Sequence, residues 1–143
     1  MKAVIQKVSG AEIIIDGKLV SSINKGIVIF LGIAIDDNDN DIHWLINKII
    51  KIRMFNTFDN NINEVKGDVL LVSQFTLQAN DLKGNRPSFI KAAKSELAKT
   101  MYEKFLKQLN ENLNTELKSG VFGADMLINL SNEGTITIIY DSS

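Results

Sequence analysis

A chain of 143 residues with 45% hydrophobic side chains has enough apolar surface for one compact core, which excludes a disordered or fibrous protein. It has no cysteine, which excludes a disulfide framework and a thiolate metal site, and its net charge of −1 excludes a general binder of polyanions. The longest apolar run, Ile27 to Ile35, is too short to cross a bilayer, and Met1 to Val8 lack the apolar core of a signal peptide, so a cytoplasmic protein without membrane contact is expected.

The pattern predicts strands over Lys2–Ser9, Ala11–Ile15 and Lys18–Ile23, with Asp16-Gly17 as a hairpin turn. Gly26–Ile35 is apolar enough for a central strand. The acidic cluster Asp36–Asp41 then starts a helix, because carboxylates favour helix N-termini, and Ile42, Leu45, Ile46 and Ile49 give that helix one apolar face. Ile52–Asn56 is expected as a short strand and Asn60–Gly67 as a polar loop. Val69–Leu77 reads as a strand buried on both faces that turns polar at Ser73, Gln74 and Thr76. Asn80–Phe89 is a loop with the chain's one proline. A long helix follows from about Lys94 to Asn112, with Leu97, Met101, Phe105, Leu109 and Leu113 as its apolar stripe. The last elements are strands over Thr115–Val121, Met126–Leu130 and Thr135–Tyr140, with Asn132-Glu133-Gly134 as the turn between the last two. The whole chain, residues 1–143, reads as one α+β domain, a mainly antiparallel sheet with two main helices.

The polar end of Val69–Leu77 is the first place to look for chemistry, since three hydrogen-bonding side chains in a core strand would each need a buried partner. A Ser-His-Asp arrangement is not expected, because the one histidine, His43, falls inside the first helix. Asp36, Asp37, Asp39 and Asp41 lack the glycine and terminal glutamate of a calcium loop, so no metal or other cofactor is expected. A site without a strong base can still polarise a carbonyl with backbone amides and hydroxyls, which suits an activated ester better than an amide. Residues 82–107 carry seven basic side chains against two acids, a stretch that reads either as a phosphate contact or as the solvated face of a helix.

At these residues the chain resembles the D-aminoacyl-tRNA deacylase family. The opening Met1-Lys2-Ala3-Val4-Ile5-Gln6-Lys7-Val8 is similar to the family's first strand, and Ser73-Gln74-Phe75-Thr76-Leu77 to its active-site strand. Gly84-Asn85-Arg86-Pro87-Ser88-Phe89, Phe122-Gly123-Ala124-Asp125-Met126 and Asn132-Glu133-Gly134 follow in the family's order and spacing. The resemblance implies a homodimer that hydrolyses the ester between a D-amino acid and the 3′ end of tRNA, assisted by the tRNA's 2′-hydroxyl. It places Ser73, Gln74, Phe75 and Thr76 at the reacting centre, with backbone N–H groups around Phe75 and Thr76 holding the oxyanion. It implies that Phe89, Phe122 and Met126 shape the pocket. Chirality would be read by a pair at Gly134-Thr135, inserted from the partner subunit. The family has a cis Gly-Pro pair there and usually an arginine at Lys7, so Thr135 and Lys7 are departures. Two other activities remain open at this level, an editing deacylase with relaxed chirality acting on glycyl- or L-alanyl-tRNA, and a non-catalytic binder of tRNA ends.

Overall fold

The computed structural model describes residues 1–80 and 83–143. Residues 81 and 82, within the loop expected at 80–89 and at the start of the basic stretch, lie outside the described residues. The elements in chain order are β1 (Lys2–Ile15), β2 (Lys18–Ile23), β3 (Gly26–Gly32), α1 (Asp39–Lys51), β4 (Arg53–Phe55), β5 (Asn60–Asn61), β6 (Asp68–Ser73), a 3-10 turn (Phe75–Gln78), α2 (Ser95–Glu111), β7 (Leu117–Ser119) and β8 (Leu127–Asp141).

The long β1 organises the sheet. Its first half pairs with β3 and its second half with β2, both antiparallel, while β8 runs antiparallel along the other edge of both halves. Next to β3 lie β6 and then β7, each parallel to its neighbour. The two expected strands Lys2–Ser9 and Ala11–Ile15 are therefore one strand. The register against β8 shifts between Val8 and Gly10, which bends the strand instead of ending it. That bend divides the core. Ala3, Ile5, Ile27, Ile29 and Leu31 face the helices, with Ile42, Leu45, Ile49, Phe105 and Leu109 packed on them. Val8, Ile13, Val28, Leu70 and Val72 form a second cluster on the other face, where Met126, Ile128 and Leu130 close over it. The sheet thus curls toward a barrel, and Lys118 Nζ donates to Ser22 O at 2.9 Å across the closing gap between β7 and β2.

The helices follow their sequence signals. Asn38 caps α1 in a capping box with Asp41, and the four expected apolar residues are all buried. On α2 the stripe is buried at Met101, Phe105 and Leu109, but Leu97 in the first turn is exposed. The expected Gly26–Ile35 strand ends at Gly32, the Thr115–Val121 strand shrinks to β7, and the Asn60–Gly67 loop contains β5.

Two further corrections bear on function. Val69, Leu70, Leu71 and Val72 are buried as expected, but the strand stops at Ser73, and Phe75–Gln78 form the 3-10 turn. Phe and Thr favour strands locally, yet docking onto β3 overrides that preference. Likewise Asn132-Glu133-Gly134 is not a turn between two strands. β8 is continuous, and residues 133–136 bulge out opposite Lys7, because Asn132 pairs with Val8 and Thr137 with Gln6.

Candidate active site

At the end of β3 and β6 a pocket of about 520 Å³ opens, within the usual size for a small-molecule site. Its floor is Leu31, Ile33 and Val72. One wall is Ser73, Gln74 and Phe75; the opposite wall is Phe122 to Met126 and Ile128; the third is Ala92, Ala93, Ser95 and Ala98 at the start of α2. The segment before α2 is held by strand-like bonds to the continuation of β3, Ala93 N–H to Ile33 O at 2.9 Å and Ile35 N–H to Lys91 O at 2.9 Å.

The Ser73–Gln78 wall is built with most of its hydrogen bonds turned inward. Gln74 N–H donates to Leu31 O at 2.7 Å, extending the ladder by one bond beyond Ser73. The first bond inside the turn runs from Leu77 N–H to Gln74 O at 3.2 Å. The N–H groups of Phe75 and Thr76 stand ahead of that bond, in the position where a helical turn leaves its donors free. Gln74 Nε2 donates to Thr76 Oγ1 and fixes that hydroxyl beside the turn. Phe75 is 57% exposed and meets the edge of Phe89 with ring centroids 5.0 Å apart. Tyr102, which does not line the pocket, packs on Phe122 with ring centroids 5.5 Å apart and donates its hydroxyl to Leu71 O at 3.2 Å. Burial pushes the Tyr102 phenol up to about 12, so it stays a neutral donor and props Phe122.

Of the residues anticipated from sequence, Ser73, Gln74, Phe75, Phe122 and Met126 line the pocket. Thr76 follows in the 3-10 turn without itself lining the pocket, and Phe89 meets the ring of Phe75. Gly134 and Thr135 do not line this pocket; they sit on the exposed bulge of β8, and the peptide bond between them is cis. His43 lies on α1, away from the lining. Sequence reasoning missed Ala92, Ala93, Ser95 and Ala98, which shape the pocket by being small, and Asp125, the one carboxylate among the described lining residues. No group of side chains fit to hold a metal ion occurs among the described residues.

Residues 4–141 match the family model for D-Tyr-tRNA(Tyr) deacylase. The chain belongs to this family. It is 47% identical to the D-aminoacyl-tRNA deacylase of Flavobacterium psychrophilum and 49% identical to that of Christiangramia forsetii, in each case over 99% of this chain and 97% of the relative. Among solved structures it superposes on a c-Myc DNA unwinding element binding protein with a TM-score of 0.94 and 36% identity, over 100% of this chain and 99% of the other. A probable eukaryotic D-amino acid tRNA deacylase shares the fold at a TM-score of 0.83 and 15% identity, with 97% of each chain covered. The deacylase family model thus spans the Ser73–Gln78 wall, the Phe122–Met126 wall and the bulge of β8 together. No helix among the described residues is long and apolar enough to cross a membrane.

Proposed function

We propose that this chain is a D-aminoacyl-tRNA deacylase whose pocket holds the aminoacyl end of the substrate against the Ser73–Gln78 wall. The observation that carries the reading is the pair of N–H groups at Phe75 and Thr76, ahead of the turn's first internal bond and beside a pocket with no histidine on its walls. Attack of water on the ester carbonyl carbon forms a tetrahedral centre whose oxygen gains negative charge. Donors already fixed in place stabilise that charge without reorganising at the moment of reaction. Collapse breaks the bond to the ribose 3′-oxygen, which leaves with the proton given up by water, and the D-amino acid is released. An ester is reactive enough for this, and the tRNA's 2′-hydroxyl can assist from the substrate side.

In this reading Ser73 and Gln74 orient the wall, and Thr76 contributes its backbone more than its hydroxyl. Phe89, Phe122 and Met126 bound the pocket. The protein works in the cytoplasm as a homodimer, and the bulge carrying Gly134 and Thr135 enters the partner's pocket to exclude L-substrates. Exposure of Glu133, Gly134 and Thr135 on a bulge away from their own pocket supports this arrangement. The deciding experiment is deacylation of D-Tyr-tRNA and L-Tyr-tRNA in parallel. Release of D-tyrosine with L-Tyr-tRNA spared is expected. Equal hydrolysis of both sinks the chiral reading, faster hydrolysis of glycyl- or L-alanyl-tRNA establishes the relaxed editing enzyme, and binding without turnover establishes a tRNA-end binder.

A further inference from the structure

One side chain ties down both ends of the β8 bulge. Asn132 is the β8 residue that pairs with β1 just before the bulge, opposite Val8, and pairing resumes at Thr137 opposite Gln6. Lys7 lies between them with no β8 residue in register. The Asn132 amide takes that place. Its Nδ2 donates to Lys7 O at 2.9 Å and, across the base of the bulge, to Ile136 O at 3.0 Å. A primary amide nitrogen carries two N–H donors, so this one nitrogen spends both on closing the loop.

The two carbonyls it grips are firm points. Lys7 belongs to β1 and pairs with Ile27 of β3 on its other side. Ile136 is half-buried and packs against the helix-side core. Between these anchors Glu133, Gly134 and Thr135 are exposed. Among the described residues their one ion pair, Lys7 Nζ to Glu133 Oε1 at 3.2 Å, also runs back to the base at Lys7, whose side chain is largely buried. Shape at the tip therefore depends on the base, and the base depends on Asn132.

We infer that Asn132 is a positioning residue for chiral discrimination: by tying Lys7 O to Ile136 O it holds Gly134 and Thr135 in the one path that excludes an L-aminoacyl group. This rests on the reading that the bulge enters the partner's pocket. Exclusion by shape is sensitive to small displacements, since a shift of about 1 Å at a reacting site can change rates by roughly a hundredfold. A loosened bulge admits the L-substrate while leaving the hydrolytic wall at Ser73–Gln78 intact.

The test compares wild type with Asn132→Asp and Asn132→Ala in deacylation of D-Tyr-tRNA and L-Tyr-tRNA, with thermal unfolding recorded for each. Asn132→Asp keeps the shape but removes both donors. The expected result is a fall in the D-over-L ratio of about tenfold or more, mostly from faster hydrolysis of L-Tyr-tRNA. The D-rate should stay within about threefold of wild type. A lowered Tm with an unchanged ratio overturns the inference, because a merely structural residue behaves so. An equal fall in both rates overturns it too. Gly134→Trp separates this from the reading beneath it. If Gly134→Trp leaves both rates at the wild-type level, the bulge does not enter a pocket and the underlying reading fails. If Gly134→Trp abolishes turnover while both Asn132 variants keep the wild-type ratio, only the role of Asn132 is overturned.

Discussion

Gln78 donates its side-chain amide to the carbonyl of Gly32 at 3.1 Å, joining the 3-10 turn to the end of β3. Gln78 is buried, 5% exposed, and a buried amide is tolerated only when hydrogen-bonded. Gly32 allows the approach from the other side, because a Cβ there would lie 2.8 Å from Leu77 Cβ and 2.9 Å from Gln74 O. Gln78→Met keeps the volume but removes the bond to the Gly32 carbonyl. It is expected to cost about 0.5–1.5 kcal/mol of stability and to slow saturated D-Tyr-tRNA turnover with KM nearly unchanged. Denaturant unfolding and steady-state kinetics on the same preparation measure both. A wild-type kcat in a destabilised variant would mean that the turn keeps its place without this bond.

Gly26 marks a closer approach, where β3 passes β6. A Cβ on Gly26 would lie 1.8 Å from Asp68 O, and that atom is backbone with no room to yield. Gly26→Ala must separate the two parallel strands that carry the pocket floor. The cost is expected to exceed the roughly 1–3 kcal/mol of ordinary overpacking. Soluble yield and Tm check this, and a Tm within a few degrees of wild type would contradict the close packing of β3 on β6.

Local signals carried much of this architecture. The acidic cluster Asp36–Asp41 marked the start of α1, its four apolar residues marked the buried face, and Val69–Val72 were recognisable as a two-sided core strand. What stayed hidden depends on partners distant in sequence. Gly10 looks like a strand end until β8 is seen to pair past it, and Asn132-Glu133-Gly134 looks like a hairpin turn until both flanks are found on the same edge of β1. Phe75–Gln78 carry strand-forming residues and become a turn only because Gly32 leaves space above β3. In the pocket, Ser73, Gln74, Phe75, Phe122 and Met126 stood out by chemistry or motif. Ala92, Ala93 and Ala98 carry no reactive group, so only the assembled walls reveal them.

Asp41 gives the fold a defined acid sensitivity. Burial works to raise its carboxyl, but the hydroxyl of Ser142 and the backbone N–H of Asn38 donate to it, and on balance it lies below the ordinary 3.8. A depressed folded-state value stabilises the fold above the unfolded value, and that stability is lost as pH falls through the folded one. Asp41→Asn should therefore narrow the difference in Tm between pH 6 and pH 3 relative to wild type. Thermal melts across that range test it, and an unchanged slope would show that Asp41 does not link α1 to acid stability.

The division of labour between backbone and side chain at the turn can be separated by substitution. Phe75 is the first residue of the 3-10 turn, a position that accepts proline because its N–H makes no bond inside the turn. Phe75→Ala removes the ring and its contact with Phe89 but keeps the N–H; Phe75→Pro removes both. If the N–H stabilises the oxyanion, Phe75→Pro should fall below Phe75→Ala by roughly 10²–10³ in kcat, the usual cost of one such donor. Thr76→Val, which keeps its N–H and loses the hydroxyl, should lose far less. Single-turnover deacylation of D-Tyr-tRNA by the three variants, each checked for native circular dichroism, gives the ranking. Equal rates for Phe75→Pro and Phe75→Ala would rule out the Phe75 N–H as a donor. A fall of Thr76→Val to the uncatalysed rate would move the chemistry onto its hydroxyl.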